Sequence, residues 1–156
     1  MKIKKLFKKK TAIVVGSIAL VLALGIGCFV VFRPVPPRGM SAEQTIAYYF
    51  KQYNARNLRG MQSVSYRDLK ASSYQFPFLL YAKLISCEER RESAQYYYYA
   101  QKWDSVPVYD FTVCWVTYEV KHWGGDQGFD GPHSFYYYLV KETKDSNWMI
   151  VSWGNA

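Results

Sequence analysis

Among residues 1–40 there is no acidic side chain, although the chain of 156 residues carries 12 Asp and Glu in all. The same stretch holds eight of the 20 basic residues: Lys2, Lys4, Lys5, Lys8, Lys9, Lys10, Arg33 and Arg38. From Ser41 onward basic and acidic residues balance at 12 each, so the net charge of +8 belongs to the N-terminus. That split excludes the nucleic-acid partner that a pI of 9.3 would otherwise suggest, because binding to phosphates needs the basic charge on the folded domain. Charge of either sign is missing altogether from Thr11 to Phe32, a run of 22 residues. Cysteine is scarce, with Cys28, Cys87 and Cys114 as the whole complement, and no internal repeat is visible. What is abundant is apolar and aromatic: half the residues are hydrophobic and 19% aromatic, which excludes a disordered chain.

At about 1.5 Å per residue the segment 11–32 spans a hydrocarbon core of roughly 30 Å. Six lysines on its N-terminal side predict a transmembrane helix with the N-terminus in the cytoplasm and the C-terminal part outside. A cleaved secretory signal is a second reading, but neither its short apolar region nor a small-x-small cleavage site is clear here. Gly25-Ile26-Gly27-Cys28 is similar to a lipobox, which makes Cys28 the residue that a third, lipoprotein reading would lipidate. Leu24 stands one position too early for that pattern, and Phe29-Val30-Val31-Phe32 stays apolar where a lipoprotein tether turns polar. All three readings place most of the chain beyond the cytoplasmic membrane. The expected organisation is a polybasic segment 1–10, a transmembrane helix 11–32, a linker 33–40 and an outer domain 41–156. Three prolines within Arg33–Gly39 make the linker a short, stiff spacer.

Ser41-Ala42-Glu43-Gln44 fits a capping box, and Ala42, Ile46, Tyr49, Phe50 and Tyr53 repeat at the spacing of one helical face. A helix is predicted from there to about Asn57, and a shorter one over Gly60–Lys70. Beyond Tyr74 the pattern turns to strands, predicted over Phe78–Glu89, Val106–His122, Ser134–Glu142 and Trp148–Trp153, with a turn at Lys144-Asp145-Ser146-Asn147. Residues 92–102, with four consecutive tyrosines from Tyr96, fit a strand, a helix or an aromatic loop. Two helices followed by an antiparallel meander make an α+β domain with the helices on one sheet face. In the long strand the apolar positions change parity near Trp115–Thr117, which predicts a bulge or bend there.

The helix SAEQTIAYYFKQYNARNL, the strand VPVYDFTVCWVTYEV and the ending FYYYLVKETKDSNWMIVSWG resemble the nuclear transport factor 2-like superfamily over about Ser41–Asn155. More narrowly they resemble its small bacterial extracytoplasmic domains of unknown function, from membrane-anchored and lipoprotein-type proteins. The resemblance implies a cone-shaped, cystatin-like domain with helices packed on a curved antiparallel sheet and a cavity beneath them. Catalytic members of the superfamily place Asp, His or Tyr in that cavity, where an apolar setting shifts pKa values. Without a bulge, Asp110, Cys114, Tyr118 and His122 share one face of the long strand, so Asp110, Tyr118 and His122 are the candidate cavity residues. No known catalytic motif maps onto them. The alternative is structural: Asp110 at the sheet edge, Tyr118 in the core and His122 opening a loop.

The Gly-rich stretch from His122 to His133 holds both histidines with Asp126 and Asp130, so a hairpin could bring imidazoles and a carboxylate to one metal. It matches neither a zinc spacing nor the calcium loop pattern. Cys87 and Cys114 lie on neighbouring candidate strands and are the candidates for a disulfide outside the cell. All 15 Tyr and five Trp follow residue 41, more than a core of this size calls for. The remainder suit a homodimer contact, a protein partner or a stacked glycan. The expected function is therefore a membrane-anchored, extracytoplasmic, noncatalytic binding module without a cofactor. The alternatives are a component of an envelope conjugation or secretion assembly, and an isomerase or hydratase using the cone.

Overall fold

The computed structural model describes residues 35–66, 74–93, 96, 100, 108–124 and 130–154. The apolar segment 11–32, expected to be a transmembrane helix, and Cys28, Asp126 and Tyr97–Tyr99 lie outside the described residues. Among those described, no helix is long and apolar enough to cross a membrane.

Helix α1 (Ala42–Asn54) starts as its sequence requires: Ser41 Oγ accepts from the Gln44 amide at 3.1 Å, and Gln44 Oε1 accepts from the Ser41 amide at 2.9 Å. It stops three residues earlier than its periodicity suggests, because Arg56 takes the left-handed conformation, φ 56°. The amides of Ala55, Arg56 and Asn57 turn back onto the carbonyls of Lys51, Tyr53 and Gln52. Asn57 is thereby free to cap the next helix, α2 (Leu58–Gln62), whose Gly60 amide donates to Asn57 Oδ1 at 3.1 Å. The expected second helix is thus shifted toward the N-terminus, and Leu69 lies outside the described residues.

Strands β1 (Leu79–Glu89), β2 (Asp110–His122), β3 (Gly131–Lys141) and β4 (Met149–Gly154) form one antiparallel sheet in the order β1-β2-β3-β4. The chain is α+β, as its element order implies. The predicted bulge in the long strand does not form. β2 pairs with β3 without interruption from Asp110–Lys141 to Val120–Gly131, and the irregularities lie on β1, between Leu79 and Tyr81 and between Leu84 and Ser86. The parity change has a different physical origin. Even positions of β2 (Cys114, Val116, Val120) are buried beneath the helices, while the odd positions Phe111 and Val113 are buried on the outer face with Tyr138 and Val140. Tyr96, Ala100 and Val108 cover that outer cluster. Past Trp115 the described residues provide no such cover, and the odd positions become polar without a bulge in the β2–β3 pairing.

Both sheet edges are partly closed. On β1 the Ala82 amide donates to Asn54 Oδ1 at 3.0 Å, and the Leu79 carbonyl accepts from the Arg56 guanidinium. On β4, Ile150 exchanges backbone bonds with Val64 and Tyr66. The chain enters the domain beside the β3–β4 turn, where the Gly39 amide donates to Asn147 Oδ1 at 3.1 Å and Met40 is buried.

Candidate functional site

The helix-covered face of the sheet is built from aromatic residues supplied by every element near it. Helical spacing aims Tyr49, Phe50 and Tyr53 at the sheet; strand alternation aims Tyr118 of β2, His133, Phe135 and Tyr137 of β3 and Trp153 of β4 back at them. The rings interlock: Phe50 lies 4.8 Å from Tyr118, Tyr53 lies 5.0 Å from Tyr74, and Tyr137 stacks on Trp153 at 5.6 Å. Two hydroxyls pair as well, those of Tyr49 and Tyr74 at 2.8 Å. Burial, reinforced by neighbouring phenols, pushes the pKa of Tyr49, Tyr53 and Tyr137 far above the ordinary value, and burial pushes Tyr118 up to about 12. These side chains are neutral packing groups at neutral pH, and the Tyr49–Tyr74 hydrogen bond removes the cost of burying those two hydroxyls.

A raised pKa means that the folded state holds these protons more tightly than the unfolded one. The stability they contribute is complete below about pH 10, the unfolded value, and falls as pH rises from there through the folded values. Alkaline titration followed at 295 nm should therefore show these four tyrosines silent in the native protein, ionising together with cooperative unfolding. Gradual ionisation of all tyrosines near pH 10 without unfolding would contradict the packed cluster.

The expected polar set divides. Asp110 stands at the start of β2, chelated by Arg91 through contacts of 3.3 and 3.2 Å, and accepts from the Phe111 amide. Strand rise places it about 40 Å from His122, so the shared parity of Asp110, Tyr118 and His122 does not make one site. Tyr118 belongs to the aromatic cluster. Cys87 and Cys114 do come near each other, as free thiols, and the neighbouring Cys87 thiol together with burial pushes the Cys114 pKa up. Their register explains the absence of a bond. Cys87 faces Val116 and Cys114 faces Glu89, a diagonal relation with a Cα separation of about 7–8 Å, beyond the reach of a relaxed disulfide.

The two histidines part company too. His133 stacks on Phe135 and lies over Tyr118, whereas His122, 3% exposed, turns to Asp130. Among the described residues no group of three His, Cys, Asp or Glu side chains is placed to hold a metal. What forms instead is a dyad across the β2–β3 connection. Asp130 Oδ1 accepts from the His122 amide at 2.9 Å and from His122 Nδ1 at 2.7 Å, and these bonds hold the carboxyl below its usual pKa. Lys121 stands 3.8 Å from the other oxygen. The imidazole is fixed to the carboxylate through Nδ1, and its other ring nitrogen, Nε2, is buried without a hydrogen-bond partner.

Gln75 joins this end of the sheet without any sequence signal. It lies in the turn before β1, left-handed at φ 45°, its carbonyl accepting from the Phe78 and Leu79 amides. Leu79 in turn is the cross-strand partner of His122.

Residues 43–154 match the family model described as a domain of unknown function, DUF4829. The chain belongs to the DUF4829 family. Its match runs from the first turn of α1 to the last residue of β4, so the DUF4829 unit coincides with the α+β fold and leaves out the polybasic and apolar N-terminal segments. No curated protein and no solved structure matches this DUF4829 chain.

Proposed function

We propose that this DUF4829 protein is a single-pass membrane protein, anchored by residues 11–32 with its N-terminus in the cytoplasm, that holds a noncatalytic interaction domain outside the membrane. The domain is a cone of the nuclear transport factor 2-like type, with the aromatic cluster inside it. One observation carries the noncatalytic reading: the helix-covered face is occupied by interlocked, neutral tyrosines, where an enzyme of this shape would need titrating groups around a substrate. Orientation is supported by the charge split at residue 40.

The dyad favours a second reading, an isomerase or hydratase with His122 as base, since a carboxylate-held imidazole with a free Nε2 is suited to proton transfer. Burial of that atom beneath the strand ends speaks against it.

The reading is tested on membrane vesicles of known orientation by limited proteolysis. Protease on the extracytoplasmic side should degrade residues 41–156 and leave a protected fragment containing 11–32. Degradation only from the cytoplasmic side, or release of the chain by a salt wash, would overturn it.

A further inference from the structure

The two thiols of the domain come near each other on the helix-covered face of the sheet. Cys114 of β2 is fully buried there, in the cluster that also holds Ala42, Val116 and Leu139. Cys87 of β1 packs against the same cluster and keeps part of its surface in solvent. Cys87 lies opposite Val116 and Cys114 opposite Glu89, so the pair is diagonal across adjacent strands. Neither thiol takes part in the aromatic interlock or in the His122–Asp130 dyad. A single buried cysteine is ordinary filling, whereas two sulfurs on one face share a chemistry that neither has alone.

The diagonal separation of about 7–8 Å between Cα atoms is too long for a relaxed disulfide and suits a longer bridge. Two metal–sulfur bonds of roughly 2.3 Å set in line hold their sulfurs about 4.6 Å apart, more than twice an S–S bond. Ligand number then selects the metal. Among the described residues no third His, Cys, Asp or Glu joins the pair to make a metal-holding group. The carboxylate facing Cys114 is already engaged, since Glu89 Oε1 accepts from Arg91 at 2.6 Å and from Thr112 at 2.5 Å. Zinc takes four donors, and calcium and magnesium take about six or more oxygens, so none of them is satisfied here. A soft monovalent ion with a closed shell is satisfied by two thiolates in line, which leaves Cu(I).

We propose that Cys87 and Cys114 bind one Cu(I) ion between β1 and β2 in a two-coordinate dithiolate site. Both S–H protons leave to solvent, two Cu–S bonds form, copper stays monovalent, and the site gains one negative charge. The ion enters past Cys87, the thiol that touches solvent. It must displace a Cys114 proton that the Cys87 thiol, burial and the carboxylates of Glu89 on β1 and Glu43 on α1 all hold in place. Affinity therefore rises with pH, by about a hundredfold per pH unit while two protons are released. This site goes beyond the interaction-module reading and does not depend on it.

The test uses the full chain in detergent micelles without oxygen, with Cu(I) alone as the probe, drawn from a coloured Cu(I) chelator. The chain should take up one Cu(I), and Cys28→Ser should take up as much, because that thiol lies outside the domain. Cys87→Ser and Cys114→Ser should each weaken binding at least a hundredfold, with near-ultraviolet circular dichroism reporting the fold. If the buried variant does not fold, Cys87→Ser, at the partly exposed position, decides. X-ray absorption at the copper edge should show two sulfur neighbours and no nitrogen or oxygen, and excess zinc should not displace the copper. No uptake at about pH 8, binding that survives Cys87→Ser, a third ligand, or displacement by zinc would overturn the proposal. A Cys87–Cys114 disulfide that forms in air with the fold intact would overturn it too, because the sulfurs would then stand closer than a copper bridge requires.

Discussion

Tyr49→Ala is expected to lower the free energy of unfolding by about 3–5 kcal/mol, enough to leave little folded protein if the domain has ordinary stability. Tyr49 is 1% exposed and touches Phe50, Tyr137 and Trp153 at ring separations of 5.5, 6.3 and 6.2 Å. Its loss therefore opens a cavity bordered by α1, β3 and β4, and stiff rings on three sides leave little freedom to collapse into it. Tyr49→Phe keeps the ring and removes only the hydroxyl bonded to Tyr74, so about 1 kcal/mol is expected. Urea unfolding of both variants measures the difference. A similar small loss in both would mean that the aromatic face is a loosely filled cleft, and the noncatalytic reading would lose its main support.

Val113→Asp tests the outer layer and should abolish cooperative unfolding or cost about 4–5 kcal/mol. Val113 is fully buried with Phe111, Tyr138 and Val140 beneath Tyr96 and Ala100, so a carboxylate there is desolvated among apolar and aromatic side chains. Ser86→Asp places the same group on the same sheet face beyond the cover, where Ser86 is exposed opposite Thr117, and a change within about 0.5 kcal/mol is expected. Near-ultraviolet circular dichroism and urea unfolding separate the outcomes. If Val113→Asp were tolerated, the outer face would be open along its whole length and the parity change in β2 would need another cause.

Local rules carried much of the fold. The capping box at Ser41, the helical spacing of Ile46, Tyr49, Phe50 and Tyr53, the four strands and the β3–β4 turn were all legible, because each depends on residues within a few positions of one another. Element ends were less so. The stop of α1 at Asn54 is enforced by a left-handed Arg56 whose guanidinium is bound to the carbonyls of Phe76 and Leu79, 20 and 23 residues away. A bulge was inferred from the parity of β2 because strand alternation alone does not reveal whether a face is covered. The cover comes from Tyr96 and Ala100, in a segment whose own pattern was ambiguous.

The candidate site shows the same division. His122 and His133 were weighed as metal ligands with Asp126 or Asp130, although their spacing matched no metal pattern; the hairpin instead closes His122 onto Asp130 at 2.7 Å. Their placement on neighbouring strands left Cys87 and Cys114 open to a disulfide or to two free thiols; the strand register sets them diagonally, as free thiols.

Charge and hydropathy along the chain suffice to divide it into a basic, apolar N-terminus and a neutral, tyrosine-rich domain, because both properties are sums over consecutive residues. Which tyrosines fill the core, and which polar atoms stay unsatisfied, depends on strand register and on cover supplied by distant segments. Those are properties of packing, and no run of consecutive residues contains them. The β2–β3 hairpin joins His122 to Asp130, and only the pairing of β1 with β2 brings Gln75, more than 40 residues before them, to the same end of the sheet.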